Sequence, residues 1–203
     1  GYSNAKVPVS YFLDVESTHL EPSEPSVEAT QNVYTGALGA APTHELGLFG
    51  FGNYTGSAGR VTSGDVVDAR TRLIERRLDV GLQYRFSPVS MIWAKAGTGS
   101  DLVSLRGPSN STAFDFIFGV PIDVNLRETT RSTDYQLRHT FTVGGRNEIT
   151  WGAEVGHRDK LTTFIVSPRI LPSLTIPTTA PVRDDSQLAY VSERVTLGSL
   201  VLQ

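Results

Sequence analysis

His19, His44, His139 and His157 are the side chains best suited to hold a transition metal, because the 203-residue chain has no cysteine. None of them stands in an HxxxH or HExxH arrangement, so no metal site is expected from them. The lack of cysteine also removes a disulfide framework, a thiolate centre and a cysteine nucleophile. Glu148 and Glu154 have the residue type for acid–base work. Six residues apart on one face of an extended segment, they stand about 20 Å from each other at roughly 3.3 Å per residue, too far to cooperate. GLFGFGNYTGSAG contains a loose GxGxxxG, but no amphipathic helix follows to complete a phosphate cradle. A strand whose small residues allow close packing is the better reading. No catalytic residue and no cofactor are expected, and the chain is not expected to be an enzyme.

The remaining chemistry-bearing residues are charges, and their meaning depends on the elements that carry them. In TRLIERRLDVGLQYRFSP the even positions read Ile74, Arg76, Leu78, Val80, Leu82, Tyr84 and Phe86, while Glu75, Arg77, Asp79, Gly81, Gln83 and Arg85 alternate with them. A period of two puts one set on each face of a strand. The same holds for Tyr135, Leu137, His139, Phe141 and Val143 against Asp134, Gln136, Arg138, Thr140 and Thr142. Past the GGRN tetrad the period resumes with Ile149, Trp151, Ala153 and Val155 against Glu148, Thr150, Gly152 and Glu154. Glycines there can take the positive φ that a tight hairpin needs. Strands are also expected over 7–15, 31–38, 44–55, 89–99 and 187–197. The facing of 89–99 stays open, because Lys95 shares parity with Trp93.

Composition narrows the class. Hydrophobic residues make up 39% and charged residues 19%, below the globular averages of roughly 45–50% and about 25%. With 19 Gly and 11 Pro, the mixture favours strands and turns. A formal charge of −3 argues against nucleic acid as a partner. No run of 18 apolar residues occurs, so no transmembrane helix is expected, and the opening GYSNAKVPVS does not read as a signal peptide. A mean hydropathy of −0.13 still fits a transmembrane β-barrel, whose strands alternate apolar and polar residues.

Links between the strands are read as short near 39–43, 87–88, 144–147 and 198–199, and as long over 18–29, 57–70, 100–130 and 160–186. Barrels of the outer membrane alternate tight periplasmic turns with long outer loops in this way. A thirteen-residue strand reaches about 43 Å and, tilted by about 40°, rises roughly 33 Å, enough to cross an apolar band about 25 Å tall. The chain is therefore expected to be all-β. The fold is an antiparallel meander of long strands forming part of a transmembrane β-barrel, with eight or nine strands in one segment over residues 1–203. Glu75, Arg77, Asp79, Arg85, Arg138 and Glu154 would line the lumen, forming ion pairs across strands. Tyr84, Phe86, Trp93 and Trp151, near strand ends, would be interfacial aromatics. His139 and His157, on apolar faces, would pack there and not bind metal.

Three phrases resemble a known family. LRHTFTVGGRNEITWGAEVGHRDK is similar to transmembrane hairpins in the barrels of TonB-dependent receptors, with a glycine turn and a returning Trp-Gly strand. SQLAYVSERVTLGSLVLQ resembles a following hairpin of such barrels, and RRLDVGLQYRFSPVSMIWAKAG a strand–Ser-Pro–strand unit. The resemblance covers residues 71–99 and 132–203. It implies a receptor-like transporter of the bacterial outer membrane that takes up a scarce small ligand. Outer-membrane lipid surrounds it, energy comes through TonB, and loops 100–130 and 160–186 lie over the ligand entrance. Nothing in the chain resembles the plug domain or TonB box of the family, and Gln203 stands where such barrels end in an aromatic residue. A fragment of a larger barrel is expected. The alternatives are a soluble all-β binding module, of carbohydrate-binding or adhesin-like sandwich type, and an outer-membrane barrel of an export or assembly protein. A barrel hydrolase lacks a recognisable Ser–His–acid set.

Overall fold

The computed structural model describes residues 8–20, 27–63, 66–109, 122–145, 147–169, 175–197 and 200–202. They form nine strands: β1 (Val9–Leu20), β2 (Val27–Ala40), β3 (Leu46–Ser63), β4 (Val66–Ser87), β5 (Ser90–Ser109), β6 (Ile122–Val143), β7 (Asn147–Pro168), β8 (Ile176–Leu197) and the three-residue β9 (Leu200–Leu202). All lie in one antiparallel sheet in chain order, each bonded only to its sequence neighbours. The expected meander is what the backbone adopts. β1 and β9 do not pair with each other, so the sheet is open among the described residues.

Tight turns fix the register at one end. Gly144 and Gly145 have φ of 62° and 68°, the left-handed values that β-branched residues rarely take. Their Cβ positions are open, so only the backbone demands glycine. Gly144→Val is expected to lower stability by about 1–2 kcal/mol, measured as a shift in the urea unfolding curve of the intact protein. In the 41–45 turn, Thr43 Oγ1 accepts hydrogen bonds from the backbone N–H groups of Glu45 and Leu46 at 3.2 and 3.1 Å. The same hydroxyl holds the exposed Glu45 carboxyl below its usual range.

At the opposite end the structure corrects the sequence reading. Most of the expected loops 18–29, 57–70, 100–130 and 160–186 is strand: β1 runs to Leu20, β3 to Ser63, β5 to Ser109 and β7 to Pro168. β4, β6, β7 and β8 have 22 residues each. Only two residues separate β3 from β4, so strict short–long alternation fails there. Loops 100–130 and 160–186 thus cannot be wholly entrance loops; much of each is wall. The Asp115–Phe118 cluster lies outside the described residues.

Among the described residues no hydrophobic core stands between layers. The chain exposes 13807 Å², whereas a compact monomer of this mass exposes about 9,300 Å². No second sheet or helix covers the described strands, as a soluble sandwich would require. The two faces differ in crowding. Of the nine buried residues among those described, all but Ile74 share one face, including Thr55, Asp79, Gly97 and Gly152. Side chains converge on the concave side of a curved sheet and spread on the convex side. The face of Asp79 is therefore the concave one.

The convex face carries the apolar stripes. On β4 it presents Leu78, Val80, Leu82, Tyr84 and Phe86, and on β6 Tyr135, Leu137, His139, Phe141 and Val143. Each stripe is nine residues long, about 30 Å along the strand and roughly 23 Å in rise at a tilt of about 40°. Leu78 is 54% and Val80 52% exposed. Beyond this belt, towards the long-link end, the convex face turns polar at Arg76 and Arg131.

Candidate functional site

The concave face holds a four-member ion network on three adjacent strands. Asp79 on β4, Gly97 on β5 and Asp134 on β6 lie directly opposite one another in the ladder. Arg77 Nε lies 2.8 Å from Asp79 Oδ2, and its Nη2 donates to Asp134 Oδ1 at 3.0 Å. From the other side Lys95 Nζ lies 3.4 Å from Asp79 Oδ1 and 3.2 Å from Asp134 Oδ2. The Lys95 ammonium sits off the bonding direction of Asp134 Oδ2, which gains charge contact without a directed hydrogen bond. Side chains of Asp79 and Lys95 are only 9% and 14% exposed. Gly97 is what lets the carboxylates converge: a Cβ there would stand 2.4 Å from Asp79 Oδ1 and 2.6 Å from Asp134 Oδ1.

Towards the short-turn end a second concave group spans β3 to β8. Phe49 stacks on Trp93 with ring centroids 5.8 Å apart and an interplanar angle of 11°. The Arg138 guanidinium lies 5.5 Å from the Trp93 centroid, and its Nε donates to Tyr190 Oη at 3.1 Å. Gly81 and Gly152 provide the floor, since a Cβ would meet the Phe49 ring at one and the Tyr190 ring at the other. Both groups are polar at their tips. They can present paired charges and hydrogen-bonding edges to whatever occupies the concave side.

The six charged residues read from the sequence all share this face. Arg77 and Asp79 join the network, and Arg138 joins the aromatic group. Glu75, opposite Thr55 and Asp101, Arg85, opposite Met91, and Glu154, opposite Gln136, make no ion pair among the described residues. Sequence reasoning missed Lys95 and Asp134 as members. Parity already put Asp134 with Arg138, but the small residues around Lys95 (Ala94, Ala96, Gly97) leave its face unmarked in the sequence. Trp93 is corrected too: it stands on the concave face, apart from Tyr84, Phe86 and Trp151.

On the convex face those three aromatics gather with Phe141 around His139 at the short-turn end of the belt. Tyr84 and Phe86 meet edge to face at 4.9 Å, as do His139 and Trp151 at 5.6 Å. Trp151 Nε1–H can only donate, and it lies 3.0 Å from His139 Nδ1. That makes Nδ1 the acceptor and assigns the ring proton to Nε2, 2.9 Å from Ser90 Oγ. At the other border Tyr34 and Tyr54 pair at 5.8 Å, with Arg76 5.7 Å from the Tyr54 ring. His157 lies beyond the belt, paired with Asp159 and Asp185. His19 bonds Thr30 Oγ1 at 3.1 Å.

No family model and no curated protein matches the chain. Solved structures do. The ferric yersiniabactin uptake receptor FyuA of Yersinia pestis superposes with a TM-score of 0.63 over 86% of this chain, at 12% identity. BauA, the ferric preacinetobactin receptor of Acinetobacter baumannii, superposes with a TM-score of 0.54 over 93% of it, also at 12% identity. The chain spans 27% and 33% of the lengths of those two proteins. At such identity the likeness is one of fold: this all-β antiparallel meander is arranged as a section of their receptors.

Proposed function

We propose that the chain is a section of the wall of a bacterial outer-membrane β-barrel, in a receptor-like transporter of the TonB-dependent type that takes up a scarce ligand. The observation that carries this reading is the division of the sheet. A nine-residue apolar belt, bordered by aromatics, lies on the convex face, and paired charges lie on the concave face. An apolar stripe with no protein against it needs hydrocarbon, and a closed wall is the form in which strands satisfy their backbone groups there. Strands of 22 residues are twice the 9–11 that a bilayer requires, so their polar halves stand clear of it. The likeness to receptors for ferric ligands supports uptake as the task. In this reading the chain performs no reaction. TonB and the small ligand are partners of the whole protein.

Fractionation tests the reading. The protein is expected in the outer-membrane fraction and to remain there after an alkaline carbonate wash; recovery as a monodisperse protein in buffer would refute it. Uptake is tested separately. Cells lacking the protein are expected to lose growth on one scarce ligand, and cells lacking TonB to show the same defect.

A further inference from the structure

Above the apolar belt the convex face carries six exposed arginines on three adjacent strands: Arg70, Arg72 and Arg76 on β4, Arg106 on β5, and Arg127 and Arg131 on β6. Their register is unusual. Arg70 and Arg106 lie directly opposite each other, and like charges so placed repel. Arg72 and Arg127 flank Ser104, and Arg76 and Arg131 flank Ser100. None of the six has an ion-pair partner among the described residues. The carboxylate directly opposite Arg131 is Asp159, which is engaged by His157 and Arg183, and Asp123 is engaged by Arg169. Asp123 and Asp159 share this face but are held by other cations, so six clustered guanidinium groups without an ion-pair partner among the described residues are complementary to an external anion. Planar guanidinium forks match phosphate oxygens two at a time.

The surface next to this patch states what the anion is attached to. Arg76 is two residues from Leu78, the first member of the belt. Directly below Ser100 and Thr98 the small residues Ala96 and Ala94 of β5 form a trough between Val80 and Leu82 on one side and Tyr135 and Leu137 on the other. A phosphate group immediately above an apolar trough is the outline of a phosphorylated lipid. We propose that the convex face of β4–β6 is a docking site for such a lipid, its phosphates held by the six arginines and an acyl chain lying in the trough. The inference rests on the reading that the belt meets hydrocarbon.

The test uses the intact protein, inserted into phosphatidylcholine vesicles with or without diphosphoryl lipid A, extracted in mild detergent, and examined by native mass spectrometry. Wild type and an R194Q control are expected to retain lipid A. The R70Q/R106Q/R127Q variant is expected to retain it at least about tenfold less, as loss of several charge-assisted bonds implies. Insertion into pure phosphatidylcholine by all three shows that the variant folds. If wild type inserts but retains no lipid A, or the triple variant retains it equally, the docking site is refuted while the membrane reading stands. Failure of wild type to insert into either vesicle refutes both.

Discussion

Leu82→Arg is expected to cost about 2–4 kcal/mol of stability in a bilayer, whereas Gln136→Arg changes it by less than about 1 kcal/mol. Leu82 is the middle residue of the five-member convex stripe on β4 and is 38% exposed. In the proposed membrane setting, an arginine there would bring a guanidinium into hydrocarbon or distort the lipid around it. Gln136 is on the concave face, directly between Glu154 and Lys95, where attraction to the acid offsets repulsion from the ammonium. Urea unfolding of the intact protein from phospholipid vesicles measures both. Equal losses would mean that the two faces see the same medium.

Lys95→Met should destabilise the protein by about 2–3 kcal/mol. Removal of one partner of a buried pair costs about 3–5 kcal/mol, and here Arg77 still contacts both carboxylates. Asp79 and Asp134 would nevertheless converge over Gly97 with one cation in place of two, in a site where Asp79 is 9% exposed. The double variant K95M/D134N should recover part of the loss, because it removes the repulsion along with the cation. If the single and double variants lose equally, the four charges do not act as a unit. The same measurement on Gly97→Ala should show a loss, since a methyl group cannot fit between the two carboxylates without moving them.

Legibility in the sequence followed the difference in polarity between the two faces of the sheet. Residues 71–86 and 132–155 announce themselves as strands because one face is apolar and the other polar, so the period of two is written in hydropathy. Below Thr71 the same strand continues through Arg70 to Val66, and β5 continues through Ser100 and Ser104. There the hydropathy carries no period of two, so the strand reads as loop. Hence the expected long loops were mostly wall. The concave charges on β4 and β6 were legible from parity. The network they form was not, because it depends on which β6 residue lies opposite Lys95 and Gly97, and the twelve residues 110–121 that join the two strands are too many for their sequence to set that register. At Gly144–Gly145, by contrast, the turn residues specify the pairing of Val143 with Asn147. Trp93 and Lys95 stayed undecided because their neighbours Ala94, Ala96, Gly97 and Gly99 are too small to mark a face.

Because each described strand bonds only to the strands before and after it in the chain, excision of one up-and-down pair would leave a single new antiparallel pairing to be made, between the two strands that flanked it. Every remaining strand would keep its direction and its inward and outward residues. The circumference of such a wall can therefore change over evolution in steps of two strands, through duplication or loss of one hairpin's worth of coding sequence.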